Sequence, residues 1–127
     1  MAEPKRSNLV NNIFSILLGV FLIVEGIWGL FSGITFGIFT TNITHALVHI
    51  VLGITGIIAG IKQNAGPFCT LLGTFLLIIG IIWFIFGRDS FFVRLLNVNQ
   101  PVAVMNCIAG FLCLSVVYYK RPGVLKN

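Results

Sequence analysis

Four long apolar stretches alternate with short segments that hold most of the polar, charged and helix-breaking residues, and they predict helices over residues 9–31, 42–61, 68–86 and 100–119. Each comes near the roughly 20 apolar residues that cross a bilayer core. Ser7 or Asn8 suits the N-cap of the first, Thr41 or Asn42 that of the second, and Asn99 that of the fourth, where Pro101 falls in the first turn. The connection Ser32 to Thr41 is itself apolar, with Gly33 and Gly37, and is expected to lie in the membrane interface. Lys62-Gln63-Asn64-Ala65-Gly66-Pro67 reads as a turn in which Gly66-Pro67 breaks the helix. Between Arg88 and Asn99, the residues Phe91, Phe92, Val93, Leu95 and Leu96 predict a short interfacial turn or helix with apolar side chains dipping into lipid. Tyr118, Tyr119, Lys120 and Arg121 form an aromatic and basic belt before Pro122-Gly123 ends the last span. Trp28 and Trp83 take belt positions at the opposite face.

The second half of the pattern repeats the first. Leu17-Leu18-Gly19 aligns with Leu71-Leu72-Gly73, and Phe21, Leu22, Gly26, Ile27 and Gly33 fall on Phe75, Leu76, Gly80, Ile81 and Gly87. With a longer later loop, Asn42, Ala46, His49 and Gly53 then fall on Asn99, Ala103, Asn106 and Gly110. The expected fold is all-α: a single-domain integral membrane four-helix bundle over residues 1–127, built from a duplicated two-helix hairpin in parallel orientation. Gly19, Gly26, Gly53, Gly73, Gly80 and Gly110 are the expected packing glycines, where small residues let helix backbones approach.

Composition removes the alternative of a soluble domain. In 127 residues, 57% are hydrophobic and 9% charged, and the mean hydropathy is +1.05. The polar surface of a soluble protein of this size is missing. Charge then sets orientation: Lys5, Arg6, Lys62, Lys120, Arg121 and Lys126 lie on one side, and only Arg88 and Arg94 among basic residues lie on the other. The positive-inside bias places both termini in the cytoplasm. The net charge of +5 follows from that topology and calls for no nucleic acid; the basic ends touch anionic headgroups of the bilayer. The apolar run from Leu9 is too long for the core of a cleavable signal peptide. Cys69, Cys107 and Cys113 show no CxxC spacing and are expected as reduced, packed thiols.

Three ionisable groups interrupt the spans. Glu25 lies in the first, and His45 and His49 stack four apart on one face of the second, continued by Gly53 and Gly56. A lone carboxylate in a bilayer is costly, so Glu25 is expected to be protonated, paired or facing water. Glu25, His49 and Asn106 fall at similar depth and are expected to form one buried polar cluster. His45, a turn nearer the surface, is the freer candidate for a ligand. In the repeat, Ile79 replaces Glu25 and Val102 replaces His45, so the chemistry belongs to one copy. Asn42-Ile43-Thr44 matches a glycosylation acceptor formally but sits at a helix start.

The order Phe39-x-x-Asn42-x-x-His45-x-x-Val48-His49-x-x-x-Gly53, followed by a degenerate copy from Asn99 to Gly110, resembles a bacterial family of small four-helix membrane proteins classed as a domain of unknown function. The resemblance implies the fold and a bacterial inner or thylakoid-type membrane, and it implies no activity. From the residues, the expected function is that of a non-catalytic accessory or structural subunit that packs against a larger membrane complex or against itself. A second reading has His45 or His49 ligate a haem or a chlorophyll, since imidazole beside glycine leaves room for a macrocycle. A third is a transporter or channel component, or a proton relay, built on Glu25 and His49. No catalytic triad, paired carboxylates or metal-ligand set is present, so neither an enzyme nor a metal site is expected.

Overall fold

The computed structural model describes residues 6–118, with side chains from Leu9 onward. Lys5, Tyr119, Lys120, Arg121, Pro122, Gly123 and Lys126, invoked above, lie outside the described residues, as do the side chains of Arg6, Ser7 and Asn8. The elements are α1 (Arg6–Phe31), β1 (Ile34–Thr35), β2 (Phe39–Thr40), α2 (Ile43–Ile61), α3 (Ala65–Phe86), a 3-10 turn (Gly87–Asp89), α4 (Phe91–Leu96) and α5 (Gln100–Tyr118). Helices α1, α2, α3 and α5 are long and apolar enough to cross a membrane, which is consistent with an integral membrane protein.

Helix α1 packs on α2, and α3 packs on α5, because glycines remove the side chains that would hold the backbones apart. A β-carbon on Gly53 would lie 2.6 Å from the Gly19 carbonyl oxygen, and one on Gly110 would lie 2.7 Å from that of Gly73. The seams continue in step about two helical turns farther on. There Gly26 meets the Ala46 carbonyl at 2.7 Å and Gly80 meets that of Ala103 at 2.9 Å, measured to the same added carbon. At the other end, the buried Ser15 hydroxyl donates to the Gly56 carbonyl at 2.7 Å, and Asn12 Oδ1 accepts from the Ala65 amide at 3.4 Å.

The two pairs are clasped to each other where α2 and α5 begin. Asn42 Oδ1 caps α2 by accepting from the His45 amide at 2.8 Å, and Asn99 Oδ1 caps α5 by accepting from the Val102 amide at 3.1 Å. Each cap also reaches across. Asn42 Nδ2 donates to the Leu95 carbonyl at 2.8 Å, while Asn99 Nδ2 donates to the Ile38 carbonyl at 2.9 Å. Between them, Thr40 Oγ1 donates to the Asn97 carbonyl at 2.6 Å, and Asn97 Nδ2 donates to the Thr41 carbonyl at 3.0 Å. Thr40 and Asn97 stand 57 positions apart, the offset that also relates Asn42 to Asn99 and Ile38 to Leu95.

Four details differ from the sequence expectation. Helix α1 already includes Arg6, the first described residue, so Ser7 and Asn8 lie inside it and not at its cap. Helix α3 begins at Ala65, ahead of Gly66 and Pro67; proline is tolerated there because first-turn amides have no intrahelical acceptor. The apolar loop after α1 folds as an antiparallel ribbon, with Ile34 opposite Thr40 and Thr35 opposite Phe39. Phe36 (φ 52) and Gly37 (φ 76) form its turn, both at the positive φ that a type I′ turn requires. The Phe36 ring offsets that unusual backbone by stacking on Phe21 at 5.8 Å and meeting Trp28 at 4.8 Å. Finally, Val93 and Leu96 of α4 turn inward and join Phe39, Ile79, Val98 and Val102 in a buried core, leaving Phe91, Phe92 and Leu95 exposed.

Candidate functional site

Each long helix turns one stripe toward the common interior, at spacings of four and three that keep side chains on one face. On α1 it is Leu18, Leu22 and Glu25, and on α2 it is His45, His49 and Leu52. On α3 it is Leu72, Leu76 and Ile79, and on α5 it is Val102, Asn106 and Ala109. In the alignment, the first and third stripes correspond residue by residue, as do the second and fourth.

The polar members meet at the middle tiers. His49 Nδ1 stands 3.8 Å from Glu25 Oε1, and the side chains are only 9% and 8% exposed. That separation exceeds hydrogen-bond range. The His45 and His49 rings meet edge to face with centroids 4.2 Å apart. Asn106 is buried beside both. His45, read from sequence as the freer residue, is buried, because Leu96 of α4 closes over it. Its Nδ1 has no hydrogen-bond partner.

Two small voids flank this line of groups. One of about 20 Å³ lies between Glu25, His49 and Asn106, with Leu22, Leu76 and Val102 as walls. The other, of about 10 Å³, lies between His45, His49 and Asn106, walled by Leu76, Ile79 and Leu96. Glu25 in the first void takes the place that Ile79 has in the second, and His45 in the second takes the place that Val102 has in the first. Ligand pockets for drug-sized molecules run to about 300–1,000 Å³, so a haem or chlorophyll on either ring requires the helices to part. Among the described residues, no three His, Cys, Asp or Glu side chains gather as metal ligands.

All six expected packing glycines lie on the two seams. Sequence reasoning missed Asn11, Asn12 and Ser15, all three of them buried. The signal was there: Asn11, Asn12 and Ser15 fall within one turn, on the side of α1 that α2 and α3 cover. Larger open spaces lie away from the polar centre. A groove of about 580 Å³ runs along Gly29 to Gly33 and Asn42 to Thr44, and an apolar one of about 440 Å³ lies between the ribbon and the start of α5.

Residues 32–118 match the family described as Domain of unknown function (DUF4383). The matched stretch includes His45, His49 and Asn106 and begins after Glu25. No curated protein and no solved structure matches the chain.

Proposed function

The chain belongs to the DUF4383 family, and from that premise we propose that it is a small multi-pass membrane protein whose role is packing: an accessory or structural subunit that binds a larger membrane complex or further copies of itself. It is a duplicated two-helix hairpin forming one four-helix bundle, without catalytic machinery, in a bacterial inner or thylakoid-type membrane with both termini cytoplasmic. One observation carries the reading. The seams at Gly19–Gly53 and Gly73–Gly110 bring backbones so close that the polar interior keeps only voids of about 20 and 10 Å³, and a transported solute or a macrocycle has no room there. Duplication is supported by the shared seams, the paired asparagine caps and the exchange of hydrogen bonds between loops. Chemistry is thus left to the outer faces, where residues such as Leu71 and Phe111 are exposed.

The test is photo-crosslinking in the native membrane from an unnatural residue at Leu71 or Phe111, followed by mild detergent extraction. The expected outcome is a discrete adduct, either with one membrane protein or with a second copy. Adducts with lipid alone from both positions, or ion flux through proteoliposomes that Glu25→Gln abolishes, would overturn the packing role.

A further inference from the structure

The polar centre holds more hydrogen-bonding capacity than it uses. Glu25 and His49 are too far apart to bond directly. Asn106 is buried, and His45 Nδ1 is a buried nitrogen without a partner. Buried polar groups in native proteins are ordinarily satisfied by protein or by ordered water. A void accepts a water when it offers roughly 10–15 Å³ and two to four polar partners. The first void offers about 20 Å³ and three partners: Glu25, His49 and Asn106. The second offers about 10 Å³ and also three: His45, His49 and Asn106.

We propose that one water occupies each void and joins His45, His49, Asn106 and Glu25 into a hydrogen-bonded row that ends inside the protein. The proposal stands on the geometry of these four residues and does not depend on the packing role. His45 is in the first turn of α2, directly after its Asn42 cap and beneath Leu96. Glu25 lies deeper. Past it the walls are Leu18, Leu22, Leu76 and Ala109, and then a core of Cys69, Leu72 and Cys113, so the row stops and does not cross the protein. The other charged side chains among the described residues stay outside: Lys62 is exposed at the opposite end, and Arg88, Asp89 and Arg94 are exposed on the 3-10 turn and α4.

The experiment uses the full chain in lipid nanodiscs, labelled with ¹³C-Glu and ¹⁵N-His. Solid-state NMR transfer from water is expected at Glu25 Cδ and at both imidazole rings. In Asn106→Leu, which removes a partner from both voids, transfer to Glu25 falls to the level of a dry core carbon. The remote Ser15→Ala leaves transfer to Glu25 at the wild-type level. A dry Glu25 in the wild type would overturn the proposal. So would an equal loss of transfer in Ser15→Ala, or transfer to Glu25 that survives intact in Asn106→Leu.

Discussion

The hairpin α1–α2 and the hairpin α3–α5 share a scaffold and differ in chemistry. Their seams meet at Gly19–Gly53 and Gly73–Gly110 with nearly the same closeness, and their second helices are capped by Asn42 and Asn99 in the same way. Yet the positions of Glu25, His45 and His49 in one are Ile79, Val102 and Asn106 in the other. An apolar helix pair therefore closes as well without the ionisable groups as with them. What holds each hairpin together is backbone approach, and the acid and imidazoles are an addition to one of two otherwise equivalent sites.

The comparison breaks most severely at the seams. Gly53→Leu and Gly110→Leu each force a side chain against a carbonyl oxygen now 2.6 or 2.7 Å from where its β-carbon would be. Overpacking of this kind costs about 3 kcal/mol, and the two losses are expected to be equal in reversible unfolding from mixed lipid–detergent micelles. Unequal losses would mean that one seam dominates stability. A smaller and unequal pair of effects is expected at the equivalent positions His49 and Asn106. His49→Leu leaves Glu25 without its nearest ionisable partner and costs about 2 kcal/mol, given that intramembrane acids are costly unless partnered. Asn106→Leu removes one amide from shared polar voids and costs about 1 kcal/mol. The same unfolding measurement separates them, and an Asn106→Leu loss at or above that of His49→Leu would refute the asymmetry. Asn42→Ala and Asn99→Ala sharpen the likeness again: each loses one cap and one hydrogen bond across to the other loop, together worth about 1–2 kcal/mol. Their matched losses are checked by thermal melting of the purified protein in nanodiscs.

The sequence was legible where residue type alone reveals geometry. Glycine spacing marked the seams, and asparagine before an apolar run marked the starts of α2 and α5. A carboxyl group and two imidazoles in apolar surroundings marked the polar centre. Hydrophobic periodicity, by contrast, was nearly silent, because lipid-facing residues such as Val20 and Leu71 are as apolar as core residues such as Leu22 and Leu72. The ribbon was missed for a related reason: its strands are two residues long and leave no run in which alternation can show. The inward turn of Val93 and Leu96 depends on Phe39 and Val102 arriving from elsewhere in the chain, which no local pattern encodes. Burial of His45 was hidden in the same way, since it is Leu96 of α4 that covers the ring.

The partner of Glu25 sits on the next helix, and the amide that shares its void sits on the last. During synthesis α1 therefore emerges with an acid that nothing yet covers, and its release into lipid at that stage is unfavourable. Insertion is cheaper when α1 waits beside the translocon until α2 supplies His49 and Gly53, so that the two helices leave as a hairpin. Helix α3 carries no such acid within its span and has no corresponding reason to wait. One glutamate thus makes the two halves unequal in what they need from a neighbour on entering lipid, although their finished packing is alike.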